Sequence, residues 1–372
     1  MKGRVLITGG AGFIGSHLAD ELLAQGYDVR ALDALVPQVH GPGQKRPEYL
    51  DPEIDLLVGD VRDPEAVRRA LKGVDAVYHF AAAVGVGQSM YEVAQYTATN
   101  NMGTAVLMEA LIRNPVRRLV VASSMSIYGE GLYKDASAKM VSNAERTPEQ
   151  LRQSRWEPTG SLSEPLTPVA TPEWKTPTLS SVYALGKYDQ ERMSLMIGRA
   201  YGIPTVALRF FNVYGTRQAL SNPYTGVLAI FASRFLNGKP PLIFEDGHQQ
   251  RDFVSVKDVA QACRLALEVG DADGEVFNIG SGTAWSVSDV ARQMGEIMGR
   301  TSLRPEVTGK YRVGDIRHCY SDISRARRIL RYAPKVAFHE GLRELAGWLE
   351  GQVAVDRVEE MRRELESRGL TV

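Results

Sequence analysis

The sequence predicts an α/β protein built on a doubly wound parallel sheet, with a smaller mixed α/β lobe toward the C-terminus. Through the first 210 residues, short and continuously apolar segments alternate with helical patterns. Such apolar runs are typical of strands buried on both faces, and strand–helix alternation is typical of parallel sheets covered by helices. From about residue 218 the pattern becomes mixed, which indicates the second lobe. A chain of 372 residues is long enough for both.

The elements of the parallel sheet can be assigned in order along the chain. The predicted strands are Val5–Thr8, Asp28–Leu32, Leu56–Gly59, Ala76–Phe80, Leu119–Ala122 and Thr205–Phe210. The predicted helices are Ile14–Gln25, Pro64–Leu71, Ala94–Arg113 and Val182–Tyr201. A polar, proline-rich insert at residues 130–178 interrupts the alternation, and an insert of this length is usually functional or mobile.

Composition and charge exclude several classes of partner. Hydrophobic residues make up 44% of the chain and charged residues 24%, as in ordinary globular proteins. The 44 basic and 44 acidic residues balance, and no basic run indicates a nucleic-acid partner. Because no segment approaches membrane-spanning length and an apolar strand begins at Val5, we expect no membrane span, no signal peptide and a cytoplasmic location. Cys263 and Cys319 alone cannot build a disulfide framework.

Three glycines with the spacing Gly-x-x-Gly-x-x-Gly lie between the first strand and the first helix. In such a junction the first glycine permits a tight turn, the second lets the backbone approach a pyrophosphate, and the third lets the helix pack on the strand. The helix N-terminus attracts the phosphates. This pattern predicts a Rossmann-type dinucleotide site whose residues are Gly9, Gly12, Phe13, Ile14 and Gly15.

An acidic residue follows at the distance expected for recognition of the adenosine ribose. Asp33 ends the second predicted strand, 18 residues after Gly15. A carboxylate there accepts hydrogen bonds from the ribose diol and repels a 2′-phosphate, so the sequence predicts NAD rather than NADP.

Two further strand ends are candidates for the cofactor site. Asp60 and Val61 follow the third strand and could line the adenine edge. Ala81, Ala82 and Ala83 follow the fourth, where small side chains let a cofactor lie across the strand ends. Plain packing is the alternative interpretation of both segments.

A tyrosine and a lysine four residues apart provide the predicted chemistry. Tyr183 and Lys187 project from one face of the fourth predicted helix. A free phenol has a pKa near ~10, and a nearby ammonium and a positive nicotinamide ring are both expected to lower it. Ser124 ends the fifth strand, where open parallel sheets bind their ligands. We therefore predict Tyr183 as a base, Lys187 as its partner and holder of the nicotinamide ribose, and Ser124 as a bridge to substrate.

Taken together, these residues resemble the extended short-chain dehydrogenase/reductase family, and within it the NAD-dependent nucleotide-sugar epimerases. The resemblance covers roughly residues 3–350. It extends to Asn100 with Gly103-Thr104, to Ser123–Gly129, to Arg209–Gly215, to Gln250–Val254 and to Gly314–Arg317. The resemblance implies permanently bound NAD and a homodimer that pairs two helices per subunit into a four-helix bundle. The methionines of these helices, Met102, Met108, Met193 and Met196, are most simply explained as core residues.

The same resemblance implies roles for individual residues. Ser124, Tyr183 and Lys187 would be catalytic, and Asn100 would lie at the cofactor. The implied substrate contacts are Ser124 and Ser126 at the sugar, Asn212 at the diphosphate, Arg251 and Arg312 as its clamp, and Asp315 near the nucleoside. A surface ion pair is the alternative for either arginine.

The resemblance also implies the reaction. In this family the tyrosine takes the proton of the sugar 4-hydroxyl while NAD takes the C4 hydride. In dehydratase relatives, the two residues after the position of Ser124 are acidic. In decarboxylating relatives, a glutamate stands at the position of Ser126. Met125 and Ser126 supply no carboxyl group. The expected reaction is therefore 4-epimerisation, in which a 4-keto intermediate turns over and NADH returns the hydride to its opposite face.

For the sugar, the insert resembles that of bacterial dTDP-L-rhamnose 4-epimerases, which make dTDP-6-deoxy-L-talose. The resembling segments are 156–158, 165–166, 172–174, 222–227 and 244–247. A UDP-hexose such as UDP-glucose, a UDP-uronate or a CDP-sugar remains an alternative substrate. Net dehydrogenase or reductase activity, or a non-catalytic NAD-binding role, remains an alternative function. Some relatives carry cysteine pairs typical of a zinc knuckle in this insert; here it has none, so no metal is expected.

These assignments define the expected domains. Residues 1–217 are predicted to form the NAD-binding domain, with the insert at 130–178. Residues 218–350 are predicted to form mainly a nucleotide-sugar-binding lobe, and residues 351–372 a helical tail.

Overall fold

The computed structural model describes residues 2–161, 163–222, 224, 226–312, 314–352 and 354–371. Its strands are β1 (Arg4–Thr8), β2 (Asp28–Asp33), β3 (Asp55–Val58), β4 (Ala76–His79), β5 (Arg118–Ser124), β6 (Leu132–Lys134), β7 (Met140–Val141), β8 (Thr167–Val169), β9 (Thr205–Phe210), β10 (Asn212–Tyr214), β11 (Leu242–Ile243), β12 (Gln250–Ser255), β13 (Val276–Ile279), β14 (Ala284–Ser286), β15 (Glu306–Val307) and β16 (His318–Cys319). Its helices are α1 (Phe13–Ala24), α2 (Pro37–His40), α3 (Pro64–Ala70), α4 (Val86–Ser89), α5 (Val93–Thr97), α6 (Gly103–Arg113), α7 (Pro148–Arg152), α8 (Val182–Tyr201), α9 (Val227–Leu236), α10 (Val256–Glu268), α11 (Val287–Ile297), α12 (Ser324–Leu330), α13 (Phe338–Leu349) and α14 (Val358–Ser367).

The central sheet is seven-stranded and parallel, in the order β13-β9-β5-β4-β1-β2-β3. Helices α1 and α10 pack on one face, where Leu18 and Val259 join the same apolar cluster. Helices α3 and α6 pack on the other face, around Val67 and Leu107. Covering both faces explains why the strands read as continuous apolar runs. The carboxyl ends of β1, β2, β4 and β5 meet at one edge of the sheet.

The predicted elements of this sheet agree closely with the structure, apart from one helix. The predicted helix Ala94–Arg113 consists of α5 and α6 joined by a π-helical turn, Ala98–Met102. After β12, α10 returns to pack on α1, and β13 pairs with β9 in the central sheet. The segment 256–279 therefore lies with the first lobe, inside the range predicted as mainly substrate-binding.

The second lobe is built around helices α9, α11 and α13, whose apolar faces share a cluster with Phe253 and Phe338. Strand β12 pairs with β10, β14 and β16. The insert forms a separate antiparallel sheet in the order β7-β6-β8. Of the predicted tail, α14 covers Val358–Ser367; Val353 and Val372 lie outside the described residues, as do Pro223 and Thr225 of the 222–227 segment.

The core interpretation of the helix methionines is half wrong. Met108 is buried against the central sheet and Met193 packs partly against the same cluster. Met102 and Met196, however, are 59% and 58% exposed. These two side chains therefore form apolar surface, Met196 on α8 and Met102 on the π-helical turn before α6. The homodimer stays a prediction. Within the described ranges, no helix is long and apolar enough to cross a membrane.

Candidate active site

The glycine turn after β1 has the geometry that its sequence requires. Gly9 has φ +72°, and a Cβ there would lie 2.9 Å from the backbone nitrogen of Ala81. A Cβ at Gly15 would overlap the carbonyl oxygen of Gly9, whereas one at Gly12 would only touch it, at 3.4 Å. Phe13 begins α1, and no side chain in the described part of the chain caps this N-terminus. The first amides of α1 are therefore free of a side-chain cap, and the phosphate site at this helix stays a prediction.

Asp33 lies beside this turn with its carboxylate held by backbone. Its Oδ2 accepts a hydrogen bond from Ala11 N at 3.0 Å, and its Oδ1 accepts one from Leu35 N at 2.9 Å. Nε2 of His40, a residue that the sequence analysis missed, lies 3.5 Å from Asp33 Oδ1. The buried carboxylate is thus fixed at the end of β2 and is hydrogen-bonded to Ala11 within the glycine turn.

At the end of β3, Asp60 is ion-paired and Val61 is packed in the core, which favours the packing interpretation of this segment. The Asp60 carboxylate is held by Arg62, whose Nη2 lies 2.6 Å from Oδ2, and hydrogen bonding from Arg62 lowers the pKa of Asp60. The Val61 side chain is buried in the core against Gly103, so it offers mainly backbone to a ligand.

At the end of β4, Asn100 fixes the backbone of the alanine run. Ala83 N donates to Asn100 Oδ1 at 2.7 Å, and Asn100 Nδ2 donates back to Ala83 O at 3.1 Å. Ala81 N donates to Thr8 Oγ1 at 3.2 Å. Ala81, Ala82 and Ala83 are all only partly buried. Asn100 therefore holds the backbone of the alanine run in place at the end of β4.

The structure brings the predicted catalytic hydroxyl groups together. Tyr183 lies in the first turn of α8, which Ser181 caps by accepting from Ala184 N at 3.1 Å. Hydrogen bonding to Ser124, at the end of β5, acts to lower the pKa of the Tyr183 phenol, so the two side chains lie close together. Ser126 Oγ donates to Ser124 Oγ at 2.9 Å. Tyr183, Ser124 and Ser126 thus form one chain of hydroxyl groups at the sheet edge.

The expected effect of Lys187 on the phenol is not found. Burial raises the pKa of Tyr183, and the hydrogen bond to Ser124 opposes that rise. Lys187 Nζ instead donates to Gln190 Oε1 at 2.8 Å. Burial also lowers the pKa of Lys187 to about 7, although Glu191 opposes this. The prediction that the ammonium lowers the tyrosine pKa is therefore wrong for the protein by itself.

Behind Lys187 lies a buried polar network that the sequence analysis missed. Gln190 Nε2 donates to Thr104 Oγ1 at 3.0 Å and lies 3.2 Å from His79 Nε2. Burial, and secondarily Lys187, lowers the pKa of His79 to about 3, so the imidazole is neutral. The only sequence signal for Gln190 is its position three residues after Lys187, on the same helical face.

Two of the residues predicted to bind substrate, Arg251 and Arg312, contact a third, Asp315. Arg312 Nε and Nη2 lie 3.1 and 2.7 Å from Asp315 Oδ2, and Arg251 Nη2 lies 3.5 Å from Oδ1. Burial raises the pKa of Asp315, but Arg312 and Arg251 outweigh it and lower the pKa to about 2. Asn212, at the start of β10, has a buried Oδ1 without a hydrogen-bond partner among the described residues. Both arginines are thus ion-paired with Asp315, but Arg251 is mostly buried rather than on the surface, and the clamp stays a prediction.

A partly buried ionic cluster, also missed, joins the insert to this region. We name it the insert cluster; its members are Glu130, Arg146, Glu157, Glu245, Asp246 and Arg317. Arg317, 1% exposed, contacts Glu157 at 2.9 Å, Glu245 at 3.0 Å and Asp246 at 2.6 Å. Arg146 contacts Glu245 at 2.6 Å and donates to the carbonyl of Asp315 at 2.9 Å. The cluster therefore fixes the insert against the segment that carries Asp315.

Comparison with known proteins agrees with this geometry. Residues 5–149 and 160–280 match the model of the NAD dependent epimerase/dehydratase family. The chain is 34% identical to dTDP-L-rhamnose 4-epimerase of Burkholderia thailandensis over 350 residues, which is 93% of this chain and 94% of that protein.

Two solved structures are similar over almost their whole length. UDP-glucose 4-epimerase from Thermus thermophilus, in complex with NAD, gives a TM-score of 0.73 at 32% identity and covers 94% of this chain and 100% of that one. UDP-glucuronic acid 4-epimerase from Bacillus cereus, in complex with UDP-glucuronic acid and NAD, gives 0.76 at 28% identity and covers 93% and 99%.

These similarities and the sheet order confirm the predicted α/β Rossmann-type fold. The predicted NAD dependence and the predicted isomerase type of enzyme are confirmed with them. By its sequence and by its structure, this chain belongs to the NAD dependent epimerase/dehydratase family.

Proposed function

We propose that this enzyme is a nucleotide-sugar 4-epimerase that converts dTDP-L-rhamnose to dTDP-6-deoxy-L-talose. The observation that carries the reaction type is the hydroxyl chain of Tyr183, Ser124 and Ser126, which contains a base but no carboxyl group. Elimination or decarboxylation would need an additional acid or base beside the sugar, and Met125 and Ser126 offer none. The similarity to the Burkholderia enzyme supports the choice of sugar.

The residues at the sheet edge fit NAD. Gly9 and Gly15 lie where a Cβ would collide with backbone, and Gly12 between them carries no side chain above the turn. Asp33 presents a fixed carboxylate, and Lys187 lies on the Tyr183 helix. We propose that these groups hold the pyrophosphate, the adenosine ribose and the nicotinamide ribose in turn. When bound, NAD supplies a hydride acceptor for the sugar C4 and a positive charge beside the phenol.

Within this arrangement Tyr183 handles the proton. Burial raises the pKa of its phenol and so disfavours the phenolate. The phenolate must therefore be stabilised before it can accept the proton of the 4-hydroxyl. The hydrogen bond from Tyr183 to Ser124 holds the phenolic oxygen in place, and Ser126 orients Ser124 in turn. Tyr183 then returns the same proton to the inverted alcohol, and no other proton source is required.

Binding of the diphosphate would exploit the two arginines at Asp315. A diphosphate offers both guanidinium groups more acceptor oxygens than the single carboxylate of Asp315. We propose that Arg251 and Arg312 turn from Asp315 toward the diphosphate, and that the side-chain Nδ2 of Asn212 donates to it. Arg251 is also tied to the backbone oxygen of Arg317 at 2.9 Å, so it is the more fixed of the two.

A UDP-hexose or UDP-uronate is the second candidate substrate class, because the two similar solved enzymes act on UDP sugars. Purified enzyme with dTDP-L-rhamnose, UDP-glucose, UDP-glucuronic acid or a CDP-hexose would be followed by NMR for inversion at C4. We expect inversion with dTDP-L-rhamnose without added NAD. If only a UDP sugar is inverted at C4, that sugar and not dTDP-L-rhamnose is the substrate. A stoichiometric requirement for NAD, with a stable oxidised product, would indicate a dehydrogenase instead.

Replacing Asp33 with alanine is expected to weaken NAD binding and to relax the discrimination against NADP. The change removes both the acceptor for the ribose diol and the charge that repels a 2′-phosphate. We expect the NAD/NADP affinity ratio to fall by about tenfold or more, a change of roughly 1.4 kcal/mol. Calorimetry on cofactor-stripped protein would measure both affinities. Asp55→Ala, an exposed carboxylate on β3, is the matched control; an unchanged ratio in Asp33→Ala would disprove the ribose assignment.

A further inference from the structure

The C-terminal segment 354–371, which we name the tail, is anchored on the second lobe. Its helix α14 buries Val358, Met361 and Leu365 in one apolar cluster with Leu242. Asp356 pairs with Lys239 at 2.9 Å and Arg234 pairs with Glu359 at 3.0 Å, while Asn237 Nδ2 donates to Ala354 O at 2.9 Å. These contacts fix the tail to the end of α9 and to the segment that follows it.

The tail also contacts the first lobe at α4, which follows β4. The side chain of Leu365 lies over Gly87, where an added Cβ would be 3.3 Å from Leu365 Cδ2. Beside it, the Arg368 guanidinium lies 4.4 Å from the centre of the Tyr91 ring, a cation–π contact. The tail therefore contacts both lobes.

Helix α4 in turn fixes the first turn of the catalytic helix. Ser89 Oγ accepts a hydrogen bond from the backbone nitrogen of Tyr183 at 3.0 Å and donates to Val86 O at 2.6 Å. Gln38 Nε2 links the same helix to the second lobe through Gln88 Oε1 at 3.0 Å and Asn222 Oδ1 at 3.1 Å. A displacement of α4 would thus be transmitted directly to Tyr183.

The tail also borders the proposed diphosphate clamp. Thr371 forms an antiparallel backbone bridge with Arg312, and Glu366 pairs with Lys310 at 2.8 Å. The two ends of the site, the tyrosine and the clamp, are therefore both in contact with elements that the tail holds.

We propose that the tail is a positioning element of the substrate site: Leu365 and Arg368 hold α4 against the second lobe, and this sets the distance between Tyr183 and the diphosphate clamp. The tail reaches the clamp directly, through the bridge between Thr371 and Arg312, and it reaches Tyr183 through α4 and Ser89. The inference rests on the proposed function, because it assigns the clamp to a nucleotide diphosphate.

The test compares two variants. The first removes the Leu365 side chain from its contact with Gly87, and the second also adds a side chain at Gly87 to fill the space. Leu365→Ala is expected to raise the KM for the nucleotide sugar by about 2- to 30-fold, the range for coupling through packed contacts, while the bound NAD per subunit stays unchanged. Gly87→Val combined with Leu365→Ala refills the contact from the other side and should restore KM. Arg368→Ala should raise KM as well. Arg363→Ala is its control, because Arg363 contacts only Glu359 O in the hydrogen bonds of the described tail.

Two readouts that do not require turnover separate this proposal from the proposed function. Calorimetric binding of dTDP and of UDP measures the clamp directly. Hydrogen exchange of the Tyr183 amide measures the Ser89 contact, and Leu365→Ala should accelerate it unless Gly87→Val is also present. If wild-type enzyme inverts no sugar but nucleotide affinity still falls in Leu365→Ala, the proposed reaction fails and the tail proposal stands. Wild-type KM and nucleotide affinity in Leu365→Ala, or unchanged exchange at Tyr183, would overturn it.

Discussion

Replacing Tyr183 with phenylalanine is expected to lower kcat by about 10²- to 10⁴-fold, the usual contribution of a positioned acid–base group. The change removes only the phenolic oxygen, so the ring still fills its half-buried place in the first turn of α8. We expect the variant to copurify with as much NAD as wild type, because the glycine turn and Asp33 are untouched. Turnover would be followed by NMR on the substrate identified from the sugar panel.

Tyr201 provides the matched control for this change. It is the last residue of the same helix, and it is 53% exposed. Tyr201→Phe is expected to leave kcat, KM and NAD content at wild-type values. A Tyr183→Phe enzyme that turns over at a rate near that of wild type would disprove the proposed base and require another group to accept the proton.

Replacing Arg317 with methionine is expected to lower the free energy of unfolding by about 3 kcal/mol, the lower end of the cost of removing one partner from a buried ion pair, because Glu245 keeps Arg146. Arg317 is 1% exposed, and Glu245 is 2% exposed. Methionine can fill much of the volume, but it cannot neutralise Glu245, Glu157 and Asp246 together. Denaturant unfolding of the NAD-loaded protein, compared with wild type by midpoint and slope, would measure the loss.

Arg292→Met tests whether this loss comes from burial. Arg292 also pairs with two carboxylates, Asp289 and Glu296, but the three side chains lie on the exposed surface of α11. Water already solvates those charges, so we expect no measurable loss of stability in that variant. A loss of less than about 1 kcal/mol in Arg317→Met would show that the insert cluster contributes no more than a surface ion pair.

The sequence determined those parts of the protein that depend on local pattern. Apolar strands buried on both faces, the glycine spacing before α1 and the carboxylate that ends β2 all follow from residues close together in the chain. The four-residue separation of Tyr183 and Lys187 likewise fixes both residues on one face of α8. For these features, secondary structure alone places the side chains.

Only the tertiary structure decided how buried charges find partners. Arg146 meets Glu245 across 99 residues, and Arg317 meets Glu157 across 160. The direction of the Tyr183 pKa shift depends on the depth of burial and on where the Lys187 ammonium points, which is toward Gln190. The contact of Leu365 with Gly87 likewise exists only because two lobes pack together. Electrostatic energy and packing depend on distances in space, and those distances become defined only when the remote segments have folded against each other.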